Sequence, residues 1–155
     1  MAAIVRPLKL NEVPSLHRRF GEAIDTSFAY IKPQYRVKIR RDNNLIRLGY
    51  ACVHPQRILL AAVDEGDLLG YAIGAVGKTQ ADLYWLYVSP KSRGQQLGLK
   101  LLQTFEQSSR QQGVNRVGLS TYDHHTYYAA IGYNTIKQET LHGVPMKIMV
   151  KDISL

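Results

Sequence analysis

The sequence contains one cysteine, Cys52, and no apolar run long enough to cross a bilayer. A single cysteine excludes a disulfide framework. Even the apolar stretch 68–76 is interrupted by Gly70 and Gly74, whereas a transmembrane helix needs roughly 18 to 20 residues. The first residues also lack the basic and apolar segments of a secretory signal. We therefore expect a cytoplasmic protein in a reducing compartment that does not span a membrane.

Acidic residues are scarce, because 12 Asp and Glu stand against 20 Lys and Arg, which gives a formal net charge of +8. Such a charge attracts polyanions and repels polycations. The partners that remain are nucleic acid, an anionic surface or a phosphorylated small molecule, and the charge alone does not choose among them. A strongly cationic substrate is disfavoured.

Internal repeats, linkers and low-complexity segments are also missing, and 45% of the 155 residues are apolar. This length and composition predict one globular domain, residues 1–155, with a buried core. In the first half of the sequence, the residue pattern predicts a strand at 3–8, a helix whose N-cap is Asn11, and a β-hairpin formed by 58–63 and 68–76. The apolar positions of that helix make one buried stripe: Val13, Leu16, Phe20, Ala23 and Ile24.

Residues 27–54 show two different patterns. Apolar residues alternate with basic ones over 35–40, which favours a strand, whereas the apolar spacing over 45–52 favours a helix. We interpret Cys52 as a small core residue on that helix and not as an acylated nucleophile.

In the second half of the sequence, the residue pattern predicts a third strand, a strand-helix-strand crossover and two closing strands. The third strand, 82–88, is followed by a helix that has one apolar face and stops at Gly113. For parallel strands, the connection through this helix would be right-handed. The later elements are a strand at 114–121, a short helix at 125–131, and strands at 133–138 and 146–153. This order of elements predicts an α/β (α+β) fold.

The junction between the third strand and the following helix carries the most informative motif. We expect the helix to begin at Gly94, with a second glycine four residues on at Gly98 and a permanent cation beside its start at Arg93. The first N–H groups of a helix lack internal partners and carry about half a positive charge, so small side chains there leave an anion site. The alternative is a glycine-bearing helix start that only packs against the sheet.

With its flanks this segment resembles the phosphate-binding signature of the GNAT superfamily, the acetyl-CoA-dependent N-acetyltransferases. The match is Arg93-Gly94-Gln95-Gln96-Leu97-Gly98, in which Gln96 replaces the usual first glycine. We expect Gln96 to be helical with its side chain turned outward, so that it needs no positive φ.

A second segment, Thr126-Tyr127-Tyr128-Ala129-Ala130-Ile131-Gly132-Tyr133, is similar to the family's C-terminal motif and follows the first in the family's order. The asparagine that often precedes its tyrosine is missing, and His124 and His125 lie in that region. The two motifs together favour the family more strongly than either does alone.

The resemblance implies a GNAT-like fold: a mixed, mostly antiparallel sheet of about six to seven strands, a parallel strand-helix-strand crossover and about four flanking helices. It also implies that acetyl-CoA is the acetyl donor. Its pyrophosphate would lie on backbone N–H groups, and its pantetheine arm would pair like an extra strand. The cofactor-binding residues that the resemblance implies are Leu86, Tyr87, Val88, Arg93, Gly94, Gln95, Gln96, Leu97, Gly98 and Leu99.

The resemblance assigns two catalytic roles, to Tyr128 and Asp82. A phenol with a pKa near 10 can protonate the departing CoA thiolate, whose pKa is about 8.5, and Tyr128 holds the family position. Asp82 holds the position of the family's base, and period-two alternation places it on the face of Tyr84, Leu86 and Val88. The alternatives are a core tyrosine at 128 and, at 82, a solvated carboxylate, with an ordered water as the base.

No metal is expected. His124 and His125 follow Asp123, but no HExxH or Cys/His spacing accompanies them, which favours a polar loop or an acceptor contact. The basic residues between 36 and 47 fit a solvated face, an anionic acceptor, a nucleic acid or the 3′-phosphate of CoA.

The function implied is transfer of an acetyl group from acetyl-CoA to a primary amine of a small molecule, peptide or protein, by direct attack in a ternary complex. The alternatives are a basic nucleic-acid-binding protein, an acetyltransferase that acts on an RNA-borne amine such as aminoacyl-tRNA, and a catalytically silent acetyl-CoA sensor. The acceptor pocket would be shaped by 27–54 and 139–145, and the acceptor's identity stays open. A homodimer that pairs C-terminal strands would be unsurprising in this family.

Overall fold

The computed structural model describes residues 3–154 and contains one seven-stranded sheet. Its strands are β1 Ile4–Pro7, β2 Arg57–Asp64, β3 Asp67–Val76, β4 Ala81–Val88, β5 Arg116–Thr121, β6 Asn134–Leu141 and β7 Val144–Asp152. They lie in the order β1-β2-β3-β4-β5-β7-β6. Only β4 and β5 are parallel neighbours, and every other neighbouring pair is antiparallel. The sequence prediction of the 58–76 hairpin and of the later strands is confirmed.

Five α-helices occur within residues 3–154: α1 Val13–Asp25, α2 Pro33–Asp42, α3 Leu45–Val53, α4 Leu97–Gln111 and α5 His125–Ala130. Helix α1 buries the stripe predicted from its spacing, Val13, Leu16, Phe20, Ala23 and Ile24. Gly113 follows α4 with φ +93°, as expected for the residue that ends a helix. None of these helices is long and apolar enough to cross a membrane.

The start of α1 differs from the prediction. A 3-10 turn at Leu10–Glu12 precedes the helix, and the N-cap is Glu12 instead of Asn11. The Glu12 carboxylate accepts hydrogen bonds from the Lys9 N–H and from Arg6, each at 2.8 Å. Glu12 thus holds the turn before the helix, which an asparagine signal alone could not indicate.

Residues 33–42 form helix α2, so the predicted strand over 35–40 is wrong. Pro33 opens the helix, where its fixed φ fits and its missing N–H is not needed. Ile39 is the only buried residue of α2, whereas Val37 is 64% exposed. The alternation therefore reflects a mostly solvated helix and not a half-buried strand.

Each face of the sheet has its own core. Helix α4 covers one face, where Leu101, Leu102 and Phe105 are fully buried; we call this the α4 core. Helices α1 to α3 cover the other face, where Phe20 and Tyr71 pack in what we call the α1 core. The parallel pair β4 and β5 lies between these two layers, and α4 connects its two strands.

Candidate active site

Strands β4 and β5 run side by side for a short distance only. Their pairing joins Ala81 to Val117 and Asp82 to Gly118. Beyond Asp82, β4 keeps its partner β3 but has none on the β5 side among the residues described. The two parallel strands therefore open a cleft, and one edge of β4 is available to another extended group.

Alternate residues of β4 direct their backbone groups into this cleft. The Ser89 N–H donates to the Leu69 carbonyl of β3 at 2.8 Å. By alternation, the backbone groups of Tyr87 also point towards β3, and those of Leu86 and Val88 point the other way. Of the three residues expected to pair with the pantetheine arm, Leu86 and Val88 therefore lie with their N–H groups at the open edge, and Tyr87 does not.

The loop that leads from β4 into α4 contains two left-handed residues. Gly94 has φ +83° and Gln96 has φ +60°, and α4 begins only at Leu97. The expectations of a helix start at Gly94 and of a helical Gln96 are therefore wrong. A glutamine holds the left-handed conformation that glycine adopts most easily. Arg93 before Gly94 is extended, so the two residues form a turn, and successive N–H groups in a turn can form a concave anion-binding site.

The N–H groups of this loop and of the first turn of α4 lack internal acceptors. In residues 3–154, none of those from Gly94 to Leu99 donates a hydrogen bond, and the Lys100 N–H is the first that does. A Cβ added at Gly98 would find only a Val88 methyl at 3.9 Å, and one at Gly94 would find nothing within 4 Å. Free donors and open space therefore coincide here, as a bound diphosphate requires.

Arg93 ties this loop to its surroundings. Its Nε donates to the Val88 carbonyl at 3.1 Å and its Nη2 donates to Ser27 Oγ at 3.0 Å. Its guanidinium carbon lies 5.9 Å from the centre of the Tyr87 ring. The side chain adds a permanent positive charge at the same end of the cleft.

Tyr128 lies in α5 and packs, half-buried, against the α4 core. Its ring meets those of Tyr127 and Tyr133 edge-on, with ring centres 5.4 and 5.8 Å apart. Burial, and secondarily Tyr127, raises the pKa of the Tyr128 hydroxyl to about 12. Tyr128 therefore stays protonated near neutral pH and can act as a hydrogen-bond or proton donor.

A buried ion pair, Glu106 with Lys151, contacts Tyr133, the neighbour of Tyr128 in the core. Glu106 of α4 is 5% exposed, accepts a 2.7 Å hydrogen bond from the Tyr133 hydroxyl and accepts bonds from Lys151 Nζ at 3.2 Å. The Tyr133 N–H donates to the Tyr128 carbonyl at 3.0 Å. Burial and the Glu106 carboxylate both raise the pKa of Tyr133. Sequence reasoning missed this group, because its members are far apart along the chain.

Strand β4 contains one extra residue, Tyr84, opposite the junction of Ile73 and Gly74 in β3. Such a β-bulge interrupts the alternation of side chains between the two faces. Leu83 and Leu86, three residues apart, consequently both belong to the α4 core. No spacing in the sequence indicated the bulge.

Asp82 therefore occupies the face opposite α4, and the prediction that it shares a face with Leu86 and Val88 is wrong. Its carboxylate accepts a 2.7 Å hydrogen bond from Gln80 Nε2. The Gln80 Oε1 in turn accepts from Arg116 Nε at 2.9 Å. This chain of bonds fixes the Asp82 carboxylate at the closed end of the cleft.

Asp82 does share its face with Tyr84, whose ring centre lies 5.8 Å from the guanidinium carbon of Arg57. Gly118 of β5 gives the Asp82 carboxylate its space. A Cβ there would stand 2.9 Å from Asp82 Oδ1 and 2.5 Å from Gln80 Nε2. Gly118 and Gln80 are thus positioning residues that the sequence did not reveal.

Aromatic side chains surround Trp85 on the same face of β4. Phe28 and the His142 imidazole have ring centres 5.2 and 6.3 Å from that of Trp85, and Tyr30 stacks on Tyr122 at 4.5 Å. Burial lowers the pKa of His142. The segment after α1 and the β6–β7 turn thus meet above β4, and both belong to the regions expected from the sequence to shape an acceptor pocket.

Three basic residues of α2 and α3 have acidic partners, whereas Arg36 and Arg41 of α2 form no ion pair within residues 3–154. Arg40 bonds to Asp25, whereas Lys38 and Arg47 bond to Asp42 at 3.1 and 3.5 Å. These pairs are exposed and reduce the positive field that the sequence alone suggests.

The remaining sequence candidates do not form a site. His124 and Asp123 are exposed and lie 3.3 Å apart. Within residues 3–154, no group of three His, Cys, Asp or Glu side chains could hold a metal ion. Cys52 is half-buried in α3, and its Sγ donates to the Leu8 carbonyl at 3.5 Å.

Comparison with known proteins gives a family. Residues 19–133 match the sequence model of the acetyltransferase (GNAT) family. A search of curated protein sequences found no match.

Solved structures share the fold along nearly the whole chain. The PaiA N-acetyltransferase from Thermoplasma acidophilum, in complex with coenzyme A, has a TM-score of 0.82 at 22% identity, covering 98% of this chain and 99% of that one. YncA from Salmonella typhimurium, with its cofactor acetyl-CoA, has 0.78 at 14%, covering 100% and 96%. The aminoglycoside 6′-N-acetyltransferase from Enterococcus faecium has 0.72 at 20%, covering 98% of each chain. The GNAT-like fold predicted from the sequence is confirmed.

Proposed function

Since the chain belongs to the acetyltransferase (GNAT) family, we propose that it transfers the acetyl group of acetyl-CoA to a primary amine by direct attack, with both substrates bound together. The observation that carries the proposal is the run of unpaired N–H groups from Gly94 to Leu99 beside the open edge of β4. The N–H groups suit a diphosphate, and the open strand edge suits a chain that contains amides. Acetyl-CoA contains both.

Donor binding uses mainly backbone groups. The N–H groups of Leu86 and Val88 are free to pair with the pantetheine amides, whereas the Val88 carbonyl already accepts from Arg93. Because backbone groups do the binding, the side chains of Gln95 and Leu97 are not required. Gly98 is required, because a larger side chain would enter the space beside Val88 that the phosphates need.

The acceptor amine must lose a proton before or during its attack. A lysine-like amine with a pKa near 10.4 is only about 0.1% neutral at pH 7.4, a deficit of roughly 4 kcal/mol, whereas an α-amine near 7.7 to 8.0 loses less than about 1.5 kcal/mol. Asp82 is the base in this proposal, directly or through one water. Its carboxylate is held by Gln80 on the face of the sheet opposite α4.

Tyr128 acts on the leaving thiolate. Its pKa of about 12 lies well above the value of about 8.5 for a thiol, so complete proton transfer would cost roughly 5 kcal/mol. A hydrogen bond donated by the phenol to the thiolate is therefore its main contribution. Asp82 takes the proton that leaves the amine and passes it to solvent. The released CoA thiolate can take up a proton from solvent, so the charges balance once the products have separated.

A calorimetric titration with acetyl-CoA tests the donor site. The unchanged protein should bind, and Gly98→Val should weaken binding by roughly 100-fold, because a hydrogen bond to a charged group contributes about 1.5 to 3 kcal/mol. Gly49→Val is a matched control, since Gly49 lies in α3 and also has open space around its Cα. If Gly98→Val binds like the unchanged protein, acetyl-CoA occupies another place.

Thiol release with a panel of primary amines separates the proposal from its alternatives. Turnover with at least one amine supports the enzyme. Binding of acetyl-CoA without turnover of any amine would indicate a sensor. An aminoacyl-tRNA in the panel tests an RNA-borne acceptor, and RNA binding that falls steeply with salt, without acetyl-CoA binding, would indicate a nucleic-acid-binding protein.

A further inference from the structure

A cavity of about 440 Å³ lies beside helix α3, the end of α2 and the first residue of β2. Two arginines, Arg47 and Arg57, line it together with the exposed Ile46 and Tyr50. Asp42 is the one acidic residue among the described residues that line it. The donor cleft and the proposed chemistry do not use this cavity.

Arg57 differs from Arg47, the other arginine that lines this cavity, because no acidic side chain in residues 3–154 pairs with it. Its Nε is buried and has no hydrogen-bond partner. The contact with the Tyr84 ring at 5.8 Å offsets part of the lost hydration of the charge, but it supplies no acceptor for the N–H. An anion in the cavity would supply that acceptor.

The carboxylates of Asp42, in the cavity, and of Asp82, on the same sheet face as Arg57, already accept other hydrogen bonds. Asp42 accepts from Lys38 at 3.1 Å and from Arg47 at 3.5 Å. Asp82 accepts from Gln80 at 2.7 Å. Neither neutralises Arg57, so the cavity keeps a net positive charge.

Arg57 lies level with the proposed base. It pairs with Ala75, and Ala75 pairs with Asp82, in three neighbouring strands. Strands are about 4.8 Å apart, so the Cα atoms of Arg57 and Asp82 are separated by roughly 10 Å. Both side chains leave the sheet on the face opposite α4, because their neighbours Ile58 and Leu83 belong to the α4 core. One ligand on this face can therefore meet both.

We infer that Arg57 binds an anionic group of the acceptor, so that the acceptor is an amine that also carries a carboxylate or a phosphate. The inference rests on the proposed function, because it places the amine near Asp82. The planar guanidinium offers paired N–H groups that match either anion, and the separation from Asp82 favours an acid group several bonds from the amine.

Three acceptors of equal length test the inference: 6-aminohexanoate, its uncharged amide 6-aminohexanamide, and 6-aminohexyl phosphate. We expect kcat/KM at saturating acetyl-CoA to be roughly 10 to 100 times higher for an anionic acceptor than for the amide, as for a hydrogen bond to a charged group. The carboxylate and phosphate arms then show which anion is preferred. Equal kcat/KM for all three would overturn the inference.

Variants locate the effect. Arg57→Gln should bring the anionic acceptors down to the level of the amide, and Arg57→Lys should keep part of the preference, because it keeps the charge without the fork. Arg18→Gln is the control, since Arg18 is an exposed residue of α1 and lies outside this cavity; it should keep the full preference. Unchanged acetyl-CoA affinity of Arg57→Gln would show that this variant is folded. A preference that survives in Arg57→Gln would contradict the inference.

A binding experiment separates this inference from the proposed function. The acetylated compounds 6-acetamidohexanoate and 6-acetamidohexanamide are titrated calorimetrically into the protein saturated with CoA. Tighter binding of the acid that is lost in Arg57→Gln supports the anion site even if no amine is turned over. Equal binding of acid and amide overturns the anion site even if the protein proves to be an active acetyltransferase.

Discussion

The proposed donor side and the proposed acceptor side of this protein are built from different kinds of group. The donor side consists of the N–H groups of 94–99 and the open edge of β4, which are backbone. The acceptor side that we propose consists of side chains, among them Trp85, His142 and Arg57. A backbone site needs few particular residues, whereas a side-chain site changes with each substitution. The donor can therefore be inferred from a short motif, and the acceptor depends on contacts that only the fold reveals.

The largest expected effect tests whether the donor side depends on the core behind it. Glu106→Ala removes the carboxylate that holds Tyr133 and Lys151. Breaking a buried ion pair by removing one partner costs about 3 to 5 kcal/mol in the free energy of unfolding. Urea denaturation measures this loss. Well below the unfolding midpoint, acetyl-CoA affinity should stay near that of the unchanged protein, because no backbone group of the loop is altered.

Gln107→Ala is the control for this prediction, because Gln107 is the next residue of α4 and is exposed. Its effect on the free energy of unfolding should stay within about 0.5 kcal/mol. A loss of acetyl-CoA affinity in folded Glu106→Ala would show that the donor side relies on this side chain as well as on its backbone.

The next effect concerns a donor-side side chain with a proposed catalytic role. Tyr128→Phe should lower kcat by roughly 100-fold, as for the loss of a hydrogen bond to a charged group, with little change in acetyl-CoA affinity. Because the pKa of Tyr128 is about 12, kcat should not fall through its ionisation at neutral or moderately alkaline pH. Tyr127→Phe is the matched control, since Tyr127 is the preceding residue and is 46% exposed. Equal kcat values for the two variants would remove Tyr128 from the mechanism.

The sequence predicted what local periodicity and turn residues determine. The buried stripe of α1 follows from the spacing of its apolar residues, the β2–β3 hairpin follows from strand lengths and turn residues, and Gly113 ends α4 as expected. The bulge at Tyr84 could not be predicted, because it depends on how β4 fits against Gly74 and Phe105. A Cβ at Gly74 would lie 2.5 Å from the Phe105 ring, so this close packing exists only with glycine there.

Two site errors have the same origin. The predicted face of Asp82 was wrong because the bulge interrupts the alternation of side chains along β4. The predicted conformation of Gln96 was wrong because Gln96 belongs to the loop before α4, and this loop supplies the first free N–H groups. Local propensity disfavours a left-handed glutamine by about 1 kcal/mol, so only tertiary structure can impose it. The partners of Asp82 and Tyr133 lie on other elements and were equally hidden.

The smallest effect is on the acceptor side and depends on pH. Burial, and secondarily Lys38, lowers the pKa of His142, so the unfolded chain takes up a proton at higher pH than the native protein does. Stability contributed by the neutral imidazole is present above about pH 6.5 and is lost as the pH falls from there through the native pKa. His142→Gln should therefore reduce the dependence of the unfolding free energy on pH in this window.

Urea denaturation at about pH 7.5 and about pH 5.5 measures this pH dependence, because the two pH values lie on either side of the ordinary pKa of histidine. His17→Gln is the control, because it removes an exposed histidine of α1. A pH dependence that is the same with and without His142 would mean that Trp85 and the β6–β7 turn do not shield the imidazole in solution. The acceptor side would then be more open than its aromatic contacts suggest, whereas the donor cleft, built from backbone, would keep its form.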